Sequence, residues 1–515
     1  METEREYLCE RGVNSLYSES TGDYTLPDYN TDVKRVIMTR AEALGAGCFV
    51  NGDDLEMTGV VNYEVIYLDA DNELTSCSFS TDYAMAVKCH GDMNAGNEVN
   101  TRVGSYSVRL TGPRRFSVKA QLVSDVNITE RDSLTVLGNT FDEGDPEMKC
   151  GKIKIAHRAY SGTQEREYVE QLATVDGVIA DDLTVIYSDA IPSVGATYKE
   201  GGALLDGIIK VRSLIMRDGE LPELYTKDIP FSEEVAIEGI GADMDVSPDV
   251  KITSLKVSVD PTDDGVVILA NPIVEYSASA IGNIEHSVIL DCYLTDRAVI
   301  NDYEDLSYRE HLFAFRFCDN IEQSVTKTEA SAENIREILL PAASLKIEEI
   351  TGSGENAKIK GIIRFSGVAC EINEAGELGF ASFKYDLPFE KNVNSSCHLP
   401  DGARFTCKGG VTDCSVRATA ETVELMAHVD FTVFACKEGR ILRLSSSSCA
   451  DEPYPESGAV VVVYYPDSSE TLFDVGRKFH TKTLGIAADN SLTEEVFAAD
   501  GASLSSLGVK KLIIR

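Results

Sequence analysis

Three stretches of this chain carry one short pattern, a glycine followed by alternating apolar residues. The first reads Met57-Thr58-Gly59-Val60-Val61-Asn62-Tyr63-Glu64-Val65-Ile66-Tyr67. The second is Asp206-Gly207-Ile208-Ile209-Lys210-Val211-Arg212-Ser213-Leu214-Ile215, and the third Lys360-Gly361-Ile362-Ile363-Arg364-Phe365-Ser366-Gly367-Val368. Their glycines lie 148 (207 − 59) and 154 (361 − 207) positions apart. Solenoid units repeat every 20–50 residues or so, which rules out that class. The period matches one ordinary domain of about 100–150 residues. Period-two alternation places successive side chains on opposite faces of a strand, so each copy should bury one sheet face.

A second marker follows each of the later glycines. Ile229-Pro230-Phe231 and Leu387-Pro388-Phe389 put their prolines 23 (230 − 207) and 27 (388 − 361) positions on. The first copy has Asp82-Tyr83-Ala84 there, without proline, so the match weakens. Strand patterning extends well beyond the repeats. Val423, Leu425, Ala427, Val429, Phe431 and Val433 share one face, as do Phe116, Val118, Ala120 and Leu122. Asn51-Gly52-Asp53 and Asp260-Pro261-Thr262-Asp263-Asp264-Gly265 are turn signals. Helical patterning in the body is sparse; Asn334–Leu340 and Gln164–Leu172 carry it best. The reading is a mainly β chain of three tandem antiparallel β-sandwich-like domains over 1–145, 146–305 and 306–450, with a small unit at 458–515. Linkers are expected at Phe141–Glu147, near Asp302–Ser307 and at Ser445–Ser457.

Charge and composition narrow the function classes. Lys and Arg total 47 against 85 Asp and Glu, a net charge of −38. Such a chain repels phosphate backbones and anionic lipid, so no nucleic-acid partner is expected. No apolar run reaches the 18 or so residues of a membrane span, so no membrane insertion is expected. Met1 to Ser15 has neither the basic start nor the apolar core of a secretory signal, which reads as a cytoplasmic chain. The 13 cysteines contain no CxxC pair and read as reduced, mostly buried thiols. Cys397-His398 with Cys407 and Cys414 fit no common zinc spacing, and no metal is expected. Asp69-Ala70-Asp71-Asn72-Glu73 has Leu74 where an EF-hand needs glycine, and reads as a hairpin turn. His428 lies on the polar side of its strand, with no cysteine or second histidine nearby in sequence. GxSxG and P-loop motifs are missing, no catalytic set stands out, and neither an enzyme nor a cofactor is expected.

The far end of the chain reads differently. Val460–Tyr465 is a β run, Ser469-Glu470-Thr471-Leu472 opens a helical stretch, Asn490 follows about twenty positions on, and Lys511-Leu512-Ile513-Ile514 closes with strand character. Ser469 is a candidate N-cap, and Glu470 suits a helix start. Leu472, Val475 and Phe479 share one helical face, while Asp474, Arg477 and Lys478 point away. This segment resembles the LysM family, small βααβ units that recognise N-acetylglucosamine glycans or, in some proteins, another protein. The resemblance implies partner or ligand contacts through Ser469, Glu470, Thr471, Leu472, Phe473 and Asn490. Glycan-binding members carry Gly where this chain has Ser469, and the chain has no tryptophan to stack on a sugar. Phe473 is the nearby ring, with core packing its first reading; local backbone bonds in a turn are the first reading for Asn490.

The body resembles a family too. Leu26-Pro27-Asp28-Tyr29-Asn30-Thr31-Asp32-Val33 is similar to the Pro-Asp-x-x-x-Asp-hydrophobic opening of the SPOCS domain, named for spore coat association. The later copies lack that opening but keep the glycine strand and the Pro-Phe corner. Three such domains followed by a LysM module resemble spore coat morphogenetic proteins. That resemblance implies a non-enzymatic scaffold at the forespore surface, on the mother-cell side. Its partners would be coat morphogenetic proteins, among them a coat ATPase. The alternative is a peptidoglycan- or GlcNAc-polymer-binding protein anchored to cortex or cell wall.

Overall fold

The computed structural model describes residues 3–515 apart from 29, 53, 89–96, 137–144, 219, 373–377, 400–401, 455–460 and 493–501. The chain is mainly β, with two short α-helices near its C-terminal end. Its strands form pairs of sheets with one winding, seen three times. In the first pair, Arg115–Val136 lies between Thr3–Thr25 and Asn97–Gly112, while Val33–Asn51, Asp54–Asp69 and Leu74–Lys88 form an antiparallel meander. In the second, Gly265–Tyr293 lies between Asp245–Pro261 and Glu147–Tyr160, and the meander is Leu183–Lys199, Gly202–Arg217 and Glu223–Ala236. In the third, Thr422–Pro453 lies between Arg297–Thr326 and Arg404–Ala418. Its second sheet pairs Ile335–Ile372 with Leu378–Leu399. The long strand doubles back, since Ile372 N–H donates to Asn334 O and Gly367 lies against Leu340 O. Each pair therefore has the order first strand, last strand, next-to-last strand, beside a three-limbed meander.

Several local readings change. Asn334–Leu340 enters the strand Ile335–Ile372 rather than a helix. Gln164–Leu172 supplies parts of two short strands that pair with Gly265–Tyr293. Helix propensity at these sites yields to strand pairing with segments distant in the sequence. The expected join at Asp302–Ser307 lies inside Arg297–Thr326, and the strand break falls at 294–296. Of the expected linker Ser445–Ser457, residues 445–453 continue the strand Thr422–Pro453. Its serines suit an exposed strand because their hydroxyls find partners across it: Ser446 donates to Asp302 and Ser447 to Asn301. The expected first linker lies, up to residue 144, outside the described residues.

Each sheet pair encloses a core. Leu55, Met57, Val61 and Tyr63 meet Val118, Ala120 and Leu122 in the first. Leu205, Ile209 and Val211 meet Val274 and Tyr276 in the second. Ile359, Ile363 and Phe365 meet Leu425, Val429 and Phe431 in the third. The repeat glycines have one cause. Gly59, Gly207 and Gly361 sit directly across from Tyr83, Phe231 and Phe389. A Cβ there would lie 2.5, 2.7 and 2.8 Å from those rings. It would also lie 2.3, 2.1 and 2.4 Å from the Leu44, Ser193 and Lys346 carbonyl oxygens. No side chain fits, and the aromatic ring covers the bare backbone. The first copy thus keeps the essential member, the ring, without its proline.

A fourth apolar cluster joins the three pairs. It contains Ile37, Met38, Ile66 and Leu68 from the first, Ile186, Tyr187 and Leu214 from the second, and Leu339, Leu340, Val368 and Cys370 from the third. Ile66, Leu214 and Val368 each lie seven positions after their glycine (66 − 59, 214 − 207, 368 − 361), so the meanders offer equivalent ends to one shared centre. Beside it runs a polar network. The Arg212 guanidinium forms a two-pronged pair with Asp189, both side chains 4% exposed, and donates to Pro341 O at 2.8 Å. Arg40 reaches Asp189 at 3.2 Å and the Tyr187 hydroxyl at 2.6 Å. The bodies are therefore not beads on a line; they meet around a common interior.

Candidate functional site

The C-terminal segment forms its own small core. Val462–Tyr464 pairs antiparallel with Leu512–Ile514, and two helices lie between them, α1 (Leu472–Phe479) and α2 (Thr483–Asp489). Val475, Ile486, Leu504, Leu512 and Ile514 fill the interior. Thr471, not Ser469, is the N-cap of α1. Its hydroxyl accepts from Asp474 N–H at 3.2 Å, while the Asp474 carboxylate accepts from Thr471 N–H at 2.9 Å. This reciprocal capping box satisfies two otherwise orphaned donors. Ser469, two positions earlier, is exposed.

Glu470 also has a structural partner set. Its carboxylate accepts from Asp467 N–H at 2.9 Å and from the Tyr464 hydroxyl at 2.7 Å, with Lys478 at 3.6 Å. These contacts, the backbone N–H first, hold it below the usual carboxylate range. Asn490 stitches α2 to the closing strand. Its amide donates to Ile486 O at 2.8 Å and Ile513 O at 2.7 Å, and its oxygen accepts from Ile513 N–H at 2.6 Å. All its contacts here are backbone contacts, as a turn asparagine would make them.

Phe473 and its neighbours face the second sheet pair. The Phe473 ring, 9% exposed, meets Tyr293 edge-on at 5.1 Å between centroids, with Lys149 Nζ 5.9 Å from its centroid. The Tyr293 hydroxyl donates to Thr481 O at 2.8 Å. Burial pushes that hydroxyl well above its usual pKa, so it stays a donor. Gly476 is required at this seat, since a Cβ would lie 2.2 Å from the Tyr293 oxygen. Around the ring pair, Arg477 pairs with Asp291, Lys482 with Asp145 at 2.8 Å, and Asp474 with Lys149 at 3.8 Å. Asp474 and Arg477, read from the sequence as pointing away from the helix's buried face, do so and reach this seat. Tyr293, Lys149 and Asp291 were not legible as site residues, because nothing in their local pattern distinguishes them from ordinary strand residues.

The first strand of the module also carries exposed apolar side chains. Val461, Val463 and Tyr465 are 52%, 56% and 68% exposed. They alternate with Val462 and Tyr464, which pack on the module's core. The edge strand therefore presents an apolar ladder to solvent.

Elsewhere, a shallow cavity of about 180 Å³ opens between the second and third sheet pairs. Lys154, Asp243, Asp245, Asn283, Glu285 and His311 line it. It is smaller than the roughly 300–1,000 Å³ of small-molecule sites. His311 is held by Asp245 at 2.7 Å rather than aimed at a ligand. The Asp69–Glu73 segment joins two antiparallel strands, with Asp69 Oδ1 accepting from Asp71 N–H and Glu73 N–H. Burial pushes the Cys407 and Cys414 thiols up to about 12 and about 11. The side chains of Cys397 and His398 lie outside the described residues. No helix among the described residues is long and apolar enough to cross a membrane. No protein-family model, curated protein or solved structure matches this chain.

Proposed function

We propose that this chain is a non-enzymatic scaffold or adaptor. In this reading it is built from three SPOCS-like domains and a LysM-like βααβ module, and it acts in spore coat assembly. It works in the mother-cell cytoplasm at the forespore surface. The module docks onto a coat morphogenetic ATPase or another coat protein. One observation carries the reading: the apolar ladder Val461, Val463 and Tyr465 on the module's first strand. An exposed edge strand with an apolar face is a surface that a protein partner completes by packing or strand addition. The repeated two-sheet winding supports it, because such bodies provide extended rigid surface. The glycan alternative has weaker support, since Phe473 is covered by Tyr293 and Lys149 in place of a sugar face.

Binding of the full chain to the purified coat ATPase tests this. The expected result is a complex that weakens at least tenfold with Val463→Asp and Tyr465→Asp combined. Failure to bind removes the ATPase as the partner, and equal binding by the double variant overturns docking through the ladder. Sedimentation with protein-stripped peptidoglycan would favour the glycan alternative instead.

A further inference from the structure

The outer face of the last sheet carries a polar stripe. Along Thr422–Pro453, Val429 and Phe431 are fully buried, so His428 and Asp430 stand on the opposite face. The neighbouring strand sets Asn320 opposite His428, Cys318 opposite Asp430 and Arg316 opposite Thr432. The Cys318 sulfur, a His428 ring nitrogen and an Asp430 carboxylate oxygen lie within 4.8 Å of one another. Sulfur, imidazole and carboxylate together suit a borderline-soft divalent cation, zinc foremost.

Two further contacts prepare these donors. His428 Nδ1 lies 2.5 Å from Asn320 Oδ1. An amide oxygen only accepts, so Nδ1 holds the proton and Nε2 keeps the lone pair, the arrangement metal-bound histidines use. Arg316 donates to Asp430 Oδ2, and the Cys318 thiol is a hydrogen-bond neighbour of the same carboxylate. A cation that takes the place of the thiol proton gives the sulfur and the carboxylate a shared counter-charge. Zinc–ligand bonds of about 2.0–2.3 Å hold ligand atoms about 3.3–3.8 Å apart. The cluster then needs about 1 Å of closure, which rotation of the exposed Cys318 side chain supplies.

We propose that Cys318, His428 and Asp430 bind one zinc-class divalent cation, with the fourth position open to water or to a donor from a partner. Local sequence gives no sign of it, because Cys318 and His428 are 110 positions apart (428 − 318). The site is independent of the docking assignment.

Titration of the reduced full chain with Zn²⁺ alone, and with Co²⁺ as a coloured substitute, tests the proposal. One bound cation is expected, with a thiolate-to-cobalt charge-transfer band. Cys318→Ala should abolish the band, and His428→Gln should weaken binding at least about 100-fold. Asn320→Ala, which frees the imidazole to turn, should weaken it by about 10–100-fold. Circular dichroism checks that each variant folds. No bound cation, or a band and affinity unchanged in Cys318→Ala, overturns the site.

Discussion

The shared centre of the three meanders and the seat of the C-terminal module both join distant parts of the chain, but with different physics. The centre is a continuous apolar cluster beside an Asp189–Arg212 pair withdrawn from water. The seat rests on two ring pairs, Tyr293 with Phe473 and Tyr454 with His480, on the Tyr293–Thr481 hydrogen bond, and on ion pairs such as Lys482–Asp145, whose side chains are 47% and 83% exposed. Exposed pairs contribute about 0–1 kcal/mol each, whereas breaking a buried pair costs about 3–5 kcal/mol. The contrast makes the centre an integral part of the fold and the seat the weaker joint.

The largest expected effect comes from Asp189→Ala. It leaves the Arg212 guanidinium buried without its carboxylate, and Arg40 loses the same partner. A loss of about 3–5 kcal/mol is expected, read from the urea midpoint. A loss under about 1 kcal/mol would erase the distinction between centre and seat. Tyr293→Ala removes a ring pair and a hydrogen bond, together about 1–3 kcal/mol, at the seat alone. Faster amide exchange confined to residues 462–514, with the body's unfolding midpoint unchanged, is the expected signature. A body that unfolds earlier to the same extent would show that the seat belongs to the core.

A third test, read as a pH dependence, sharpens the picture of the centre. Glu64 lies beside Arg40, and burial pushes its carboxyl up from 4.5 to about 7 against the pull of that arginine. Between those pH values the folded chain keeps a proton that the unfolded chain has released. This contribution to stability is complete below about pH 4.5 and is lost as pH rises through about 7. Glu64→Gln keeps a neutral side chain throughout, so it should flatten that part of the stability profile and be the more stable form above pH 7. Matching pH profiles for variant and wild type would contradict a protonated Glu64.

Much of the local structure was legible. The faces of Phe116–Leu122 and Val423–Val433 follow from alternation alone, and every apolar residue named on them is buried. The repeat glycines were visible too, but their reason was not, because it needs the ring across the sheet. At the candidate site, the helix start was misplaced by two positions: Ser469 and Thr471 both suit an N-cap, and the side chain at Asp474 decides between them. The serine run after Leu444 carries a linker's composition, yet a partner strand with Asn301 and Asp302 converts it to strand.

Sequence alone determined that this chain builds β-sheets with one buried face, in three similar stretches with a different small unit behind them. Alternation and glycine spacing are local, and local pattern is enough to decide strand and face. Only the tertiary structure decided that the three stretches share a centre, that Phe473 meets Tyr293, and that Cys318 stands opposite Asp430. Those contacts depend on register between strands far apart in the chain, and register follows from how whole faces pack.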